Sequence, residues 1–146
     1  MSEGQSMPVR WGEGVAIPGT PFRIAIPAEA TGGHAVCITV DMPPGVTVDE
    51  HTHPDEDQIC IVVSGRLGCR AGGVESILYA GDLQVLPRAV PHSLWNAGDE
   101  FVHLIELYTP PGMEQRFIRA GVQALADGAD AADHHHYDNA QGGSTN

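Results

Sequence analysis

With 146 residues, 42% of them apolar, and a formal charge of -12 from nineteen acids against seven arginines and no lysine, the chain is long enough for one cored domain and too short for two of ordinary size. So acidic a chain repels a phosphate backbone, which excludes nucleic acid as a partner, and without lysine it has no side-chain amine for Schiff-base chemistry. No apolar run approaches the roughly 18 residues that span a bilayer, so no membrane partner is expected.

The first residues, Met1 to Ser6, lack the positive start and apolar stretch of an export signal. Cys37, Cys60 and Cys69 are odd in number and irregular in spacing, which suits a reducing compartment. A cytoplasmic protein is the expectation. Residues 1–8 read as an extension, 9–120 as the domain and 121–146 as a tail. From Val9 to about Thr109 short apolar runs alternate with Gly, Pro and Asp: Phe22 to Ile26, Ala35 to Val40, Ile59 to Val63, Ile77 to Tyr79, Leu83 to Leu86 and Phe101 to Tyr108. Many short strands with no helix-length periodic segment among them point to an all-β sandwich or barrel. After the break at Pro110-Pro111-Gly112 a short helix is predicted from about Met113 to Arg119, packed on the outside. Beyond Gly121 the chain turns to Ala, Asp, Gly, Asn and Ser, with four aspartates and no Lys or Arg, and a mobile, low-complexity tail is expected. Within it His134, His135 and His136 are assigned no function, because a flexible segment cannot fix coordination geometry.

Two stretches carry chemistry. In the first, from Gly45 to Gly65, His51 and His53 stand at i and i+2, which on a strand face one side and aim two imidazoles at one point. After Pro54 the chain returns through Ile59 to Val63, so a side chain at 58 can reach the same point; Gln58 is best placed, with Asp57 beside it as the competing ligand. In the second, from Gly81 to Asn96, a strand ends at Pro87 and a turn delivers His92, a third imidazole, to the start of the next strand. Three imidazoles with an amide oxygen suit Fe, Mn, Ni, Zn or Cu as a divalent ion, and ligand type alone does not choose among them.

These stretches resemble the paired motifs of the cupin superfamily. Gly45, His51, His53 and Gly65 match the first, with Gln58 where the family usually has Glu; Gly81, Pro87, His92 and Asn96 match the second, with Ala89 where Gly is usual. The resemblance covers about Gly45 to Asn96 and implies a single double-stranded β-helix, or jelly-roll, barrel. Its spacing places the ligand six residues before Gly65, at Gln58, and Asp57 then points to the opposite face. With the strand character of Val9 to Ile26, it also implies pairing through outer strands whose free edges a second copy covers, and so a homodimer.

A carboxamide at position 58 leaves the metal's charge undiminished, which favours a Lewis acid and tilts the site away from oxygen activation. The resemblance extends to cupins of this Gln-for-Glu pattern that catalyse non-redox reactions at carbon, among them sugar ring opening and hydroxynitrile cleavage, while other cupins are dioxygenases. With Gln58 inward, alternation brings in Cys60 and Val62, and His92 brings in Leu94 and Asn96; Ile38 and Val40 extend an oily wall, which Val48 joins only if a bulge before His51 shifts its register. On the strand from Phe101 to Tyr108 the cost of burying an unpaired Glu argues for His103, Ile105 and Leu107 inward and Glu106 outward, making His103 the candidate acid or base. Such a pocket suits an apolar or aromatic small molecule. The leading expectation is a metal-dependent lyase, isomerase or cyclase; the alternatives are a metal-dependent dioxygenase and a non-catalytic small-ligand module.

Overall fold

The computed structural model of the chain describes residues 6–128 and the pair His136–Tyr137. In chain order the strands are β1 Val15–Ala16, β2 Phe22–Ile26, β3 Val36–Met42, β4 Thr47–His51, β5 Asp57–Ser64, β6 Leu67–Ala71, β7 Val74–Leu78, β8 Leu83–Leu86, β9 His92–Asn96, β10 Val102–Thr109 and β11 His136–Tyr137, with helix α1 at Met113–Ala126. They form a six-stranded sheet, β1-β2-β3-β10-β5-β8, and a five-stranded sheet, β11-β4-β9-β6-β7. The pairings are antiparallel except that of β11 with β4. The fold is the all-β jelly roll that the sequence indicated.

Period-two alternation makes these strands and sorts their faces. In β3, Val36, Ile38, Val40 and Met42 are buried while Cys37, Thr39 and Asp41 face out. The same rhythm turns Gln58, Cys60 and Val62 of β5 inward, and His92, Leu94 and Asn96 of β9. The two inner faces share one apolar core. Gly65 closes the turn between β5 and β6 at φ 90°, and a Cβ there would stand 2.6 Å from the Phe101 carbonyl oxygen, so that position of the first motif is a backbone requirement.

Helix α1 departs from expectation in extent and in place. It continues to Ala126, through residues 121–126 that composition marked as tail, because Met113, Phe117, Gly121 and Ala124 recur at helical spacing and are buried. It is not an outside appendage either, since Phe117 stacks on Phe22 with ring centroids 4.0 Å apart and meets Tyr108 edge-on at 6.0 Å. The helix closes the end of the barrel where those rings lie. The rest of the expected tail, with His134 and His135, lies outside the described residues; His136 lies in β11. No described helix is long and apolar enough to cross a membrane.

Candidate metal centre

His51 ends β4, His53 follows it in the loop, and His92 opens β9, directly across from His51 in the ladder. The register shifts between Val48 and His51, so that both are buried, at 4% and 6% exposure. His53 lies past the strand's end, held by the Ala89 amide donating to its carbonyl at 2.7 Å. The three rings form a nearly regular triangle, with centroids 4.8 Å (51 to 53), 4.4 Å (51 to 92) and 4.7 Å (53 to 92) apart. One ring nitrogen from each lies within 4.8 Å of the others, so the three can hold a metal ion.

The tautomers follow from the backbone. Nδ1 of His51 lies 2.6 Å from the Asp49 carbonyl and Nδ1 of His92 lies 3.2 Å from that of Val90. A carbonyl only accepts, so each Nδ1 carries the proton and each Nε2 keeps its lone pair. Burial first, and then the neighbouring imidazoles, hold His53 down at about 2 and His92 at about 4, leaving both neutral as ligation demands. Nε2 of His92, both ring nitrogens of His53 and Oε1 of Gln58 are buried with no hydrogen-bond partner among the described residues. Lone pairs concentrated in a dry interior are costly unless an electrophile accepts them. A divalent cation fits that need.

Gln58 and Asp57 face opposite ways. Gln58 is 1% exposed, and its amide donates to Cys60 Sγ at 3.3 Å and to the Glu106 carboxyl, which turns its oxygen away from both. Asp57 points outward, where Arg88 holds it through its backbone amide at 2.8 Å and its guanidinium at 3.1 Å. Between His53 and Asp57 in sequence, Glu56 is buried beside Arg116 of α1, 3.7 Å away, tying the helix to the loop that carries His53.

On β10 the faces are the reverse of those expected. Val102, Leu104, Glu106 and Tyr108 are buried, and His103, Ile105 and Leu107 point outward. His103 sits on the outer surface, its Nδ1 2.6 Å from Asp41 and its ring edge-on to Trp11; it does not enter the lumen, and neither do Ile105 and Leu107. The cost of burying Glu106 is offset locally, because the Tyr108 hydroxyl, two residues on and so on the same face, donates to its carboxyl at 2.7 Å. That i, i+2 pair was the legible signal that the buried face could be the acidic one. Burial holds the Glu106 carboxyl up at about 7, and Tyr108 stands edge-on to His53 with ring centroids 5.8 Å apart. Ile38, Val40, Val48, Cys60, Val62 and Leu94 are all buried in the interior. Asn96, though inward, is occupied: its amide nitrogen donates to the Met42 and Glu100 carbonyls and its oxygen accepts from Gly98, so it fixes a turn and is not free to meet a ligand.

A family model described as Cupin domain matches residues 38–108. No curated protein matches the chain by sequence. Among solved structures, a predicted oxalate decarboxylase from Thermotoga maritima is similar with a TM-score of 0.63 at 21% identity, covering 72% of this chain and 100% of its own. KdgF from Halomonas sp. is similar with a TM-score of 0.57 at 22% identity, covering 64% and 81%. An uncharacterised Klebsiella pneumoniae protein with a double-stranded β-helix domain is similar with a TM-score of 0.50 at 25% identity, covering 53% and 69%. The likeness to the first two is one of fold.

Proposed function

Since this chain carries a cupin domain whose three buried histidines can hold a metal, we propose that it is a metal-dependent lyase, isomerase or cyclase acting on a small, largely apolar carbonyl or enol compound. His51, His53 and His92 hold one divalent transition ion, and Gln58 Oε1 is the fourth ligand. When bound, an ion with no charged ligand is an electrophile that polarises a carbonyl oxygen. The observation that carries the reading is a cluster of three buried imidazoles on one interior with a buried carboxyl, Glu106, that no cation among the described residues neutralises.

Glu106 takes the role first given to His103. Its carboxyl lies on the inner face with Gln58 and Tyr108, and an acid group poised near neutrality can take a proton from carbon and return it. Tyr108 donates to it, and so orients the carboxyl and supports its anion. The buried aliphatic wall of Ile38, Val40, Val48, Val62 and Leu94 suits an apolar substrate body and excludes water from the exchange.

The test is hydrogen exchange at carbon. Metal-loaded protein in D2O, kept free of oxygen, is given a panel of aryl ketones and β-diketones, and loss of the α-proton is followed by NMR. Exchange is expected without oxygen, to vanish in His92→Ala, and to fall roughly 100-fold or more in Glu106→Gln while metal content is kept. Turnover that consumes oxygen mole for mole would replace this reading with the dioxygenase one.

A further inference from the structure

We infer, on the basis of the metal centre proposed above, that α1 is its movable cover and that Arg116, set against Glu56, holds that cover shut. Gln58, His53 and His92 are each 1% exposed and His51 6%, so a substrate or a chelator reaches the ion only if part of the enclosure moves. Most of the enclosure is fastened. Backbone ladders join β10 to β5, β5 to β8 and β4 to β9 around the ligands. The loop that carries His53 is pinned by the Ala89 amide on the His53 carbonyl at 2.7 Å, and Arg88 grips Asp57 through its backbone amide at 2.8 Å and its guanidinium at 3.1 Å.

Helix α1 is fastened differently. Its first turns lie at the metal end of the barrel: the Arg116 guanidinium is close enough to His53 to lower the imidazole's affinity for a proton, and a Cβ on Gly112 would stand 3.3 Å from Oε2 of Glu56. Met113 and Phe117 are fully buried, and Phe117 stacks on Phe22, so apolar contact favours the closed position. Among the described residues, however, the one polar tie between α1 and the barrel is Arg116 Nη1 to Glu56 Oε1 at 3.7 Å, beyond hydrogen-bond length. Arg116 Nη1 otherwise donates to Met113 Sδ within its own helix, and Glu56 Oε1 is buried with no hydrogen-bond partner among the described residues. Both groups are thus largely withdrawn from water and incompletely paired in return. Undocking the helix breaks no strand ladder and returns both groups to water, so it costs less than unfolding the barrel. The joint suits that motion. Only Pro110, Pro111 and Gly112 separate β10 from α1, and Gly112 offers no side chain to cap the helix start.

Metal release separates a cover from a merely structural helix. Full-length protein loaded with Co(II) is mixed with excess EDTA, and the loss of the cobalt absorption band is timed. With a cover, the rate should level off as EDTA rises, since opening then limits it, and should depend on urea far less steeply than global unfolding does. Arg116→Met, which leaves Glu56 buried without its cation, should raise that limiting rate roughly tenfold or more. Gly121→Ala should raise it too, although position 121 lies away from the metal, against the Pro18 carbonyl, and neither change should alter the equilibrium affinity for Co(II). In metal-free protein the α1 amides should exchange with D2O together and ahead of those of β5 and β10, and faster still in Arg116→Met. That arm needs no ion, so a chain that takes up no Co(II) would refute the metal centre, and with it the cover's role, while exchange still decides whether α1 opens. A release rate that climbs in proportion to EDTA without levelling, release that follows global unfolding, variants that leave the limiting rate unchanged, or α1 amides that exchange only with the strands would each overturn the cover.

Discussion

Ala89 is the one non-glycine among the described residues with a positive φ, 65°. A Cβ in the left-handed region meets the following carbonyl, at a cost of roughly 1–2 kcal/mol, and the strain is located where the second motif usually has glycine. The turn is nonetheless held, because the Ala89 amide donates to the His53 carbonyl and so sets the loop of one ligand against the approach to another, His92. Ala89→Gly is expected to raise stability by about 0.5–1 kcal/mol, after the entropy glycine adds to the unfolded chain. A melting temperature a few degrees higher with unchanged metal affinity would bear this out; no rise would mean that the site relaxes around the methyl group. At the same scale, the Glu absent from position 58 has a counterpart at 106, one strand away, where it bonds to the glutamine that stands in its place.

Gly121 shows how an element answers to its neighbours. Glycine within a helix costs about 1 kcal/mol relative to alanine, so by propensity alone Gly121→Ala should stabilise α1. A Cβ there, however, would collide with the Pro18 carbonyl oxygen, where the helix packs on the turn between β1 and β2. The opposite sign is expected: a loss of roughly 1–3 kcal/mol, read as a lower denaturation midpoint. An increase would show that α1 can lift from the turn at little cost. Strand β10 makes the parallel case for sheets, since both of its faces carry apolar residues, and the strands beside it decide which face turns inward.

The whole molecule should feel its buried imidazoles as acid lability. In the metal-free protein His53 and His92 have folded-state values of about 2 and about 4 against an ordinary 6.5. Lowered values mean that the unfolded chain takes up these two protons first, so the stability they confer is present above 6.5 and lost as pH falls. Glu106, raised to about 7 from 4.5, acts the other way: its protonated folded form contributes stability below 4.5, which is lost as pH rises through 7. Between 4.5 and 6.5 the unfolded chain therefore binds two protons at the histidines and the folded chain one at Glu106, a net difference of one. Stability should peak near 6.5–7 and fall by about 1.4 kcal/mol per pH unit as pH drops below 6, with little further steepening under 4.5 because His92 then takes up its own proton in the folded chain at about 4. Glu106→Gln removes the opposing proton and should steepen the upper arm to about 2.7 kcal/mol per unit. Denaturant titrations of metal-free protein across this range measure both slopes, and identical slopes in the two proteins would place the Glu106 titration elsewhere.

What the sequence determined by itself was local and periodic. Alternating residues and turn glycines specified the strands, and the spacing within two short stretches specified which three imidazoles gather, because i, i+2 geometry and chain reversal at Pro54 and Pro87 depend only on neighbours; the jelly roll was implied by the resemblance of those stretches to the paired cupin motifs. Tertiary structure decided the rest. The inward face of β10 follows from pairing with β3 and β5, which aligns Glu106 with Cys60 and Tyr108 with Gln58; a sequence read alone weighs the cost of a buried carboxyl without its Tyr108 and Gln58 partners. The reach and seat of α1 depend on the Phe22 ring and the turn at Pro18, residues about a hundred positions away. The outward rows of isoleucine, leucine and valine on β10, β5 and β8 become a surface only when those three strands, distant in the chain, lie side by side, because cross-strand register, unlike alternation, is a property of the assembled sheet.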